Sequence, residues 1–151
     1  MIALKDIHSP KDPNFESRVH ASFARQTLMR TISASISRLA PGEVDISMPM
    51  QAGLSQQDGF VHAGIITAIV DSACGYAALS LTAAGKEVLT VEYKVNFLSP
   101  AAGEVFVARG RVTRAGKTIT VCSGDVVAES GGQQKLIASM LATMMTINPI
   151  P

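Results

Sequence analysis

The chain has 151 residues, of which 47% are hydrophobic and only 17% are charged. This composition excludes a largely disordered chain, because enough apolar surface is present to offset the entropy of ordering. The net charge of +1 disfavours a nucleic-acid partner. The length predicts one domain, and the shortage of charged residues predicts that another subunit covers part of its surface.

The predicted elements alternate between the period of a helix and the period of a strand. Asp12 and Pro13 provide the signal for a first helix start, with Asp12 as its cap. In chain order, we predict a helix to about residue 30, strands at 31–39 and 43–48, a polar loop at 49–59, a long apolar helix at about 62–83, and strands at 88–98, 104–114, 117–129 and 134–147. In the strand at 88–98, apolar and polar residues alternate without interruption.

The order of these elements predicts an α+β fold with a largely antiparallel sheet wrapped around one long helix. Nothing else in the chain is long enough to bury that helix. The last strand is apolar on both faces, which is typical of a central strand or of a strand at a subunit interface. We expect a single domain over 1–151, with residues 1–30 as an N-terminal extension and helix and 31–147 as the core.

The cysteines and the first residues favour a cytoplasmic protein. Cys74 and Cys122 lie inside apolar segments, and residues 1–10 lack the apolar core of a secretory signal. The stretch 63–81 is as apolar as some membrane spans, but Asp71 at its centre would cost about 2.5–3.5 kcal/mol on insertion. We therefore expect free thiols, a buried helix and no membrane partner.

The segment that leads into the long helix has the properties of a site for developing negative charge. Ala63 and Gly64 are small, so that a ligand can approach the backbone N–H groups at the helix start. These N–H groups lack intrahelical partners, and the helix dipole adds about half a positive charge there. His62 lies directly before this helix start and is a candidate for the same site. The alternative is that His62 only caps the helix or has a structural role.

Asp71 is the second candidate, because the only charged residues between Asp45 and Lys86 are Asp58 and Asp71, both acidic. A carboxylate on a buried helix without a nearby cation has a raised pKa and can act as a base or nucleophile. The alternative is a carboxylate satisfied by Ser72, Thr67 or the backbone. Asp71 lies nine residues after His62, which is about 13.5 Å along a helix. The two can therefore serve one site only if the second comes from another subunit.

The sequence GFVHAGIITAIVDSACGYAA, residues 59–78, resembles the start of the long helix in hotdog-fold acyl-CoA thioesterases of the PaaI (phenylacetate-pathway) type. Their pattern is G-x-x-H-G-G with an aspartate nine residues after the histidine. The Ser-Pro turn at 99–100 and the R-x-G-K-T hairpin at 114–118 are similar to the same family. The resemblance covers about residues 30–147. It implies a hotdog fold that forms a homodimer or homotetramer, with acyl-CoA sites at the subunit interface.

The resemblance also implies roles for individual residues. Asp71 is the general base or nucleophile, the N–H of Ala63, helped by Gly64, polarises the thioester carbonyl, and His62 orients this loop. Gln56 supplies an amide, and Thr90 positions water. The substrate-binding residues would include Gln57, Gly59 and Phe60. The family usually has glycine where this chain has Ala63, whose methyl group narrows the approach. No cofactor is expected beyond the coenzyme A of the substrate, and no metal.

Two further questions stay open in the sequence. The cations Arg109, Arg111, Arg114 and Lys117 form either a solvated strand edge and hairpin tip or a site for the phosphates of CoA, for which we single out Arg114 and Lys117. The resemblance implies an acyl-CoA thioesterase that hydrolyses an acyl- or aryl-CoA, with two alternatives: an acyl-thioester hydratase or dehydratase on the same fold, and a non-catalytic acyl-CoA-binding module.

Overall fold

The computed structural model describes residues 8–151. Its helices are α1 (Phe15–Arg25), α2 (Thr27–Thr31) and α3 (Ala63–Leu79), and its strands are β1 (Ser35–Ala40), β2 (Glu43–Pro49), β3 (Glu87–Phe97), β4 (Val105–Ala115), β5 (Ile119–Ser130) and β6 (Gln133–Ile147). A short 3-10 helix covers Ala52–Leu54. The expectation about a secretory signal falls mostly on residues 1–7, which lie outside the described residues.

All six strands form one antiparallel sheet in the order β1-β2-β4-β5-β6-β3. The helix α3 packs against the inner face of this sheet, which confirms the predicted α+β hotdog architecture. The strand β6 lies between β5 and β3, as its two apolar faces predicted. The strand β3 lies at one edge of the sheet, and β1 lies at the other.

The core forms where α3 meets β4, and a glycine sets how closely they approach. A Cβ atom on Gly110 of β4 would overlap the backbone of Ala73 and Cys74 in α3. Ala73 and Cys74 are themselves fully buried. The absence of a side chain at residue 110 therefore lets the helix backbone rest on the sheet, with the side chains of α3 filling the space on either side.

The N-terminal helix is shorter than predicted. It ends at Arg25, because Gln26 has an extended ψ of 94°, and the short helix α2 then continues to Thr31. The predicted cap at Asp12 is wrong: the N-cap is Asn14, and no side chain caps it. The carboxylate of Asp12 instead accepts the N–H of Asn14 and forms an ion pair with Arg18. Its charge therefore stabilises the position of Arg18 in α1.

Arg18 joins α1 to the C-terminal end of α3. Its guanidinium donates hydrogen bonds to the carbonyl oxygens of Leu79, Thr82, Ala83 and Lys86, at 3.0–3.3 Å. The last carbonyls of a helix have no intrahelical partners, and a cation there also interacts favourably with the helix dipole. The contact stabilises the end of α3, which lies at Leu79 rather than at the predicted residue 83, and it attaches α1 to that end.

The uninterrupted alternation predicted for β3 is wrong. A β-bulge occurs between Thr90 and Glu92, with Val91 as the extra residue. The bulge places Thr90 on the same face as Tyr93, since the two residues pair with the buried Met144 and Ala142 of β6. A bulge changes the side of the sheet to which a side chain points, and this one turns Thr90 towards α3.

The remaining expectations concern the thiols and the membrane. Cys74 and Cys122 are free and buried, as predicted, and burial raises the pKa of the Cys122 thiol to about 12. In residues 8–151, no helix has the length and hydrophobicity that a membrane crossing requires.

Candidate active site

The start of α3 is organised by the ring of His62. This residue is the N-cap of the helix, and its Nδ1 accepts the N–H of Gly64 at 2.8 Å. A Cβ on Gly64 would lie 3.0 Å from that Nδ1, so the glycine allows the ring to lie against the helix start. The capping role therefore fits His62, and the N–H of Gly64 is already used within the chain.

The N–H of Ala63 is available to a ligand. Within residues 8–151, the Ala63 N–H donates no hydrogen bond, as expected for the first residue of a helix. Ala63 also lines an apolar cavity of about 260 Å³, with Gln56, Phe60 and Phe97 among the other lining residues. We call this cavity, which contains the helix start, the amide half-site.

Gln56 and Phe60 reach the amide half-site because the polar loop is folded into a tight turn. The N–H of Gln56 donates to the carbonyl of Phe60 at 2.8 Å, and Gly59 has the positive φ of 86° that the turn requires. The amide oxygen of Gln56 accepts the N–H of Asp58, which leaves its NH₂ group for a ligand. Gln57 is exposed and does not line this cavity.

Asp71 lies in the middle of α3, in contact with the edge strand. The hydroxyl of Thr90 donates to its Oδ1 at 2.8 Å. Burial raises the pKa of the Asp71 carboxyl above its usual value of 3.8, and the hydrogen bond from Thr90 lowers it by a smaller amount. Both residues line a second cavity, of about 160 Å³. We call this cavity the acid half-site.

The two half-sites of one chain lie apart. They share no lining residue, and Ala63 precedes Asp71 by eight residues of one helix, or about 12 Å at 1.5 Å per residue. A thioester carbonyl is only a few ångströms long. A single carbonyl therefore cannot contact the Ala63 N–H and the Asp71 carboxylate of the same chain.

The basic cluster is divided between the sheet and the hairpin. Arg111 forms an ion pair with Asp45 at 2.6 Å, and Arg109 donates to Gln134 at 3.1 Å. Arg114 and Lys117 are exposed. Lys117 lines a small cavity of about 80 Å³ that is also lined by two other lysines, Lys11 and Lys86. Only Arg114 and Lys117 thus remain as the candidates for phosphate contacts within the cluster.

A hydratase or dehydratase would need a histidine paired with an acid in one site. In the described part of the chain, no carboxylate lies within ion-pair distance of His62, whose Nδ1 already accepts the N–H of Gly64. The acid half-site contains no histidine. Within one chain, the geometry therefore does not assemble the pair that this alternative requires.

Sequence reasoning missed the contribution of the N-terminal helices to the acid half-site. Ser22 and Gln26 line this cavity, together with Glu87 of β3. No motif marks these residues, because they come from two separate segments that only the folded chain brings together. The predicted first helix ran through Gln26 to about residue 30 and gave no signal for its place in this cavity.

Comparison with known proteins gives a consistent result. A family model described as the thioesterase superfamily matches residues 58–135. A thioesterase family protein from Silicibacter pomeroyi is 47% identical, with a TM-score of 0.88 over 89% of this chain and 99% of that one. Human acyl-coenzyme A thioesterase 13 is 32% identical over 100 residues, which are 66% of this chain and 69% of that protein. The PaaI protein of Escherichia coli shares the fold, with a TM-score of 0.81 at 22% identity, over 89% of this chain and 94% of that one.

Proposed function

The chain belongs to the thioesterase superfamily and is a thioester hydrolase, and on that premise we propose that it cleaves acyl- or aryl-CoA to the free acid and CoA. The observation that carries the proposal is the carboxylate of Asp71, half-buried and hydrogen-bonded by Thr90 at 2.8 Å. A carboxylate in this environment is a stronger base than an exposed one, because burial disfavours its charged form.

Asp71 acts as general base or as nucleophile. Because Thr90 occupies Oδ1, Oδ2 is free to take a proton from water or to attack the thioester carbonyl itself. In the first route, the water oxygen bonds to the carbonyl carbon, the C–S bond breaks, and the proton held by Asp71 passes to the CoA thiolate. In the second route, Asp71 bonds to the carbonyl carbon and the C–S bond breaks, which releases the CoA thiolate and leaves an acyl anhydride at Asp71. Water then hydrolyses the anhydride to the free acid and the Asp71 carboxylate, and a proton from that water neutralises the thiolate.

The Ala63 N–H stabilises the negative charge that develops on the carbonyl oxygen in either route. A preorganised backbone donor at this position is worth about 10²–10³ in kcat in other acyl-transfer enzymes. His62 acts by fixing the first turn, since its ring holds the Gly64 N–H. The free NH₂ group of Gln56 provides a second donor in the same half-site.

Two chains complete each site. The strand β3 carries Thr90 of the acid half-site and Phe97 of the amide half-site, and it lies at the edge of the sheet. Antiparallel pairing of two β3 strands about a two-fold axis near their middle would bring the end of the strand that carries Thr90 beside the end that carries Phe97 of the partner subunit. The acid half-site of each chain then faces the amide half-site of the other.

The phosphates of CoA bind exposed basic side chains of the β4–β5 hairpin. Arg114 and Lys117 are exposed near the tip of the β4–β5 hairpin, which leaves their charges free for an anion. A guanidinium suits a phosphate because it donates two parallel hydrogen bonds.

The substitution Asp71→Asn tests the proposal. It keeps the shape of the side chain but removes the base, so kcat for thiol release from acyl-CoA substrates should fall by at least about 100-fold. The control Asp125→Asn changes an exposed carboxylate on β5 and should retain full activity. Thiol release by Asp71→Asn at the wild-type rate would overturn the proposed role.

The melting temperature of Asp71→Asn separates a catalytic defect from a folding defect. Because the pKa of Asp71 is raised in the folded state, the fold favours the protonated form, and the charged form destabilises it as the pH rises through that pKa. The asparagine amide at residue 71 has no charge, so it does not destabilise the fold in this way. At pH 7 the variant should therefore melt at the same temperature as the wild type or at a higher one.

A further inference from the structure

The hydroxyl of Thr90 lies between two acceptors. Its Oγ1 is 2.8 Å from Oδ1 of Asp71 in α3 and 3.3 Å from Sδ of Met144 in β6. The strand ladder fixes the second contact, because Thr90 pairs directly with Met144 beside the bulge at Val91. A threonine hydroxyl has a single proton, so it donates to only one of these two acceptors at a time.

The two acceptors differ in how strongly they attract the proton. A hydrogen bond to a charged carboxylate is about twice as strong as one between neutral groups, whereas a thioether sulfur is a weak acceptor. While Asp71 is charged, the hydroxyl therefore donates to Oδ1 of Asp71. The sulfur of Met144 then lies beside the hydroxyl oxygen without accepting its proton.

Protonation of Asp71 changes this balance. The neutral carboxyl no longer has the charge that attracts the hydroxyl, and it gains a donor of its own. The hydroxyl proton can then turn to Sδ of Met144 by rotation about one bond, with every heavy atom in place. Met144 is only 1% exposed, so the surrounding core holds its sulfur at the same position whether Asp71 is charged or neutral.

Few other titratable groups surround Asp71. In the described part of the chain, the charged or titratable groups that face Asp71, or Cys74 one turn further along α3, are Glu87 of β3, Tyr76 of α3, Arg111 of β4 and Cys122 of β5. The α1–α2 junction contributes Gln26, which does not titrate. Burial and the Thr90 hydrogen bond, rather than these groups, shift the pKa of Asp71. The direction of the Thr90 hydroxyl therefore bears directly on the protonation of Asp71.

We propose that Met144 is a positioning residue for Asp71: its sulfur accepts the Thr90 hydroxyl whenever Asp71 holds a proton. The inference rests on the proposed role of Asp71 in hydrolysis. The sulfur stabilises the protonated form of Asp71, because the hydroxyl keeps a fixed acceptor in that form, and Asp71 is thereby a stronger base. The hydroxyl proton stays bonded to Oγ1 of Thr90 throughout, so no covalent bond forms or breaks at the sulfur.

The test replaces the sulfur by carbon. Met144→Leu approximately conserves the volume and leaves Asp71 as the only fixed acceptor of the Thr90 hydroxyl. The hydroxyl then favours the charged form of Asp71 more strongly. The acidic limb of kcat/KM for acyl-CoA hydrolysis should therefore move to lower pH by about half a pH unit, the effect of one weak neutral hydrogen bond. Leucine is no more polar than methionine, so altered burial alone would move the limb to higher pH or not at all.

Three comparisons isolate the contact between the sulfur and the hydroxyl. The matched control Met140→Leu changes a buried methionine of β6 that pairs with Val95 instead of Thr90, and it should keep the wild-type limb. In a Thr90→Val background, Met144→Leu should cause no displacement, because no hydroxyl is present to be shared. In a Glu87→Gln background, which lacks the other carboxylate of the cavity, Met144→Leu should cause the same displacement as in the wild type.

Met144→Ile is a second variant without the sulfur, and melting temperatures show which of the two folds. An acidic limb at the wild-type pH in a folded Met144 variant would overturn the inference, and so would an equal displacement in Met140→Leu or in the Thr90→Val background. The NMR resonance of the Asp71 carboxyl carbon, identified by its absence in Asp71→Asn, reports the same titration without turnover. If the wild type hydrolyses no thioester, the proposed function fails, and this titration decides the inference: a lower pKa of Asp71 in Met144→Leu supports it, and an unchanged or higher one overturns it.

Discussion

Two opposing effects on Asp71 set the pH at which it can act. Burial raises its pKa, and the hydrogen bond from Thr90 lowers it. A donor bonded to a carboxylate stabilises the charged form, which is the form that accepts a proton or attacks a carbonyl. The activity should therefore fall on the acidic side as Asp71 becomes protonated, at a pH above the ordinary range of an exposed aspartate.

Replacement of Thr90 by valine should move this acidic limb to higher pH. The variant Thr90→Val keeps the branched shape and removes the donor to Oδ1, so the pKa of Asp71 rises further. The measurement is kcat/KM against pH, with Thr113→Val, an exposed threonine on β4, as the control. An acidic limb at the wild-type position in Thr90→Val would contradict the assignment of that limb to Asp71.

The helix start allows the N–H of Ala63 to be removed without disturbing the fold. Proline is well tolerated at the first position of a helix, and the preceding residue, His62, already has the extended ψ of 136° that proline requires. The variant Ala63→Pro should thus lower kcat by about 10²–10³, the usual effect of losing one oxyanion donor. Its melting temperature should stay near that of the wild type, and wild-type turnover would show that the donor lies elsewhere.

At the scale of the elements, the close contact between α3 and β4 makes a sensitive test of the fold. A Cβ at residue 110 would overlap backbone atoms of Ala73, which cannot move by rotating a side chain. We expect Gly110→Ala to lower the free energy of unfolding by about 1–3 kcal/mol, as overpacking does. The control Gly53→Ala adds a methyl group in open space and should change it little. Urea denaturation measures both, and equal stability would contradict the packing.

The first strand, predicted at 31–39, begins only at Ser35, because Thr31 ends α2. The long helix and the order of the last four strands follow from the periods of the sequence. The bulge at Val91 and the break at Gln26 do not, because both are local departures that tertiary contacts stabilise. Asp12 also lost its predicted role, since the ion pair with Arg18 competes with capping.

The residues of the candidate site also differ in whether the sequence predicts them. Asp71 and the start of α3 are visible in the sequence, because an acidic residue in an apolar helix and a run of small residues are both unusual. Ser22 and Gln26 are not visible as part of the acid half-site, because their place in it depends on where α1 packs. Residues near in sequence are predicted from patterns, whereas residues brought together by the fold are not.

For the whole molecule, the shortage of charges in the sequence corresponds to apolar side chains left exposed at one edge of the sheet. Leu89, Val91 and Tyr93 of β3 are 50%, 56% and 46% exposed. An unpaired edge strand with an apolar surface is a template for another chain. The same strand carries Thr90 and Phe97, one from each half-site. Association through β3 would therefore cover apolar surface and complete the proposed sites together.

Complementation between two inactive variants tests whether each site uses two chains. The variant Asp71→Asn retains the Ala63 N–H, and Ala63→Pro retains the Asp71 carboxylate. In a mixed dimer, one site then has both intact groups and the other has neither. Random mixing gives about half mixed dimers, so about a quarter of the wild-type activity should return.

The exchange is made by mixing the two purified variants under conditions that dissociate and reassociate the subunits, followed by the thiol-release assay. As a control, Asp71→Asn is mixed with a chain that carries both substitutions, a combination that contains no intact carboxylate and should stay inactive. Subunit exchange is verified with differently tagged chains. If mixed dimers form and no activity returns, the carboxylate and the N–H act within one chain or not at all, because only sites shared between subunits can be rebuilt by exchange.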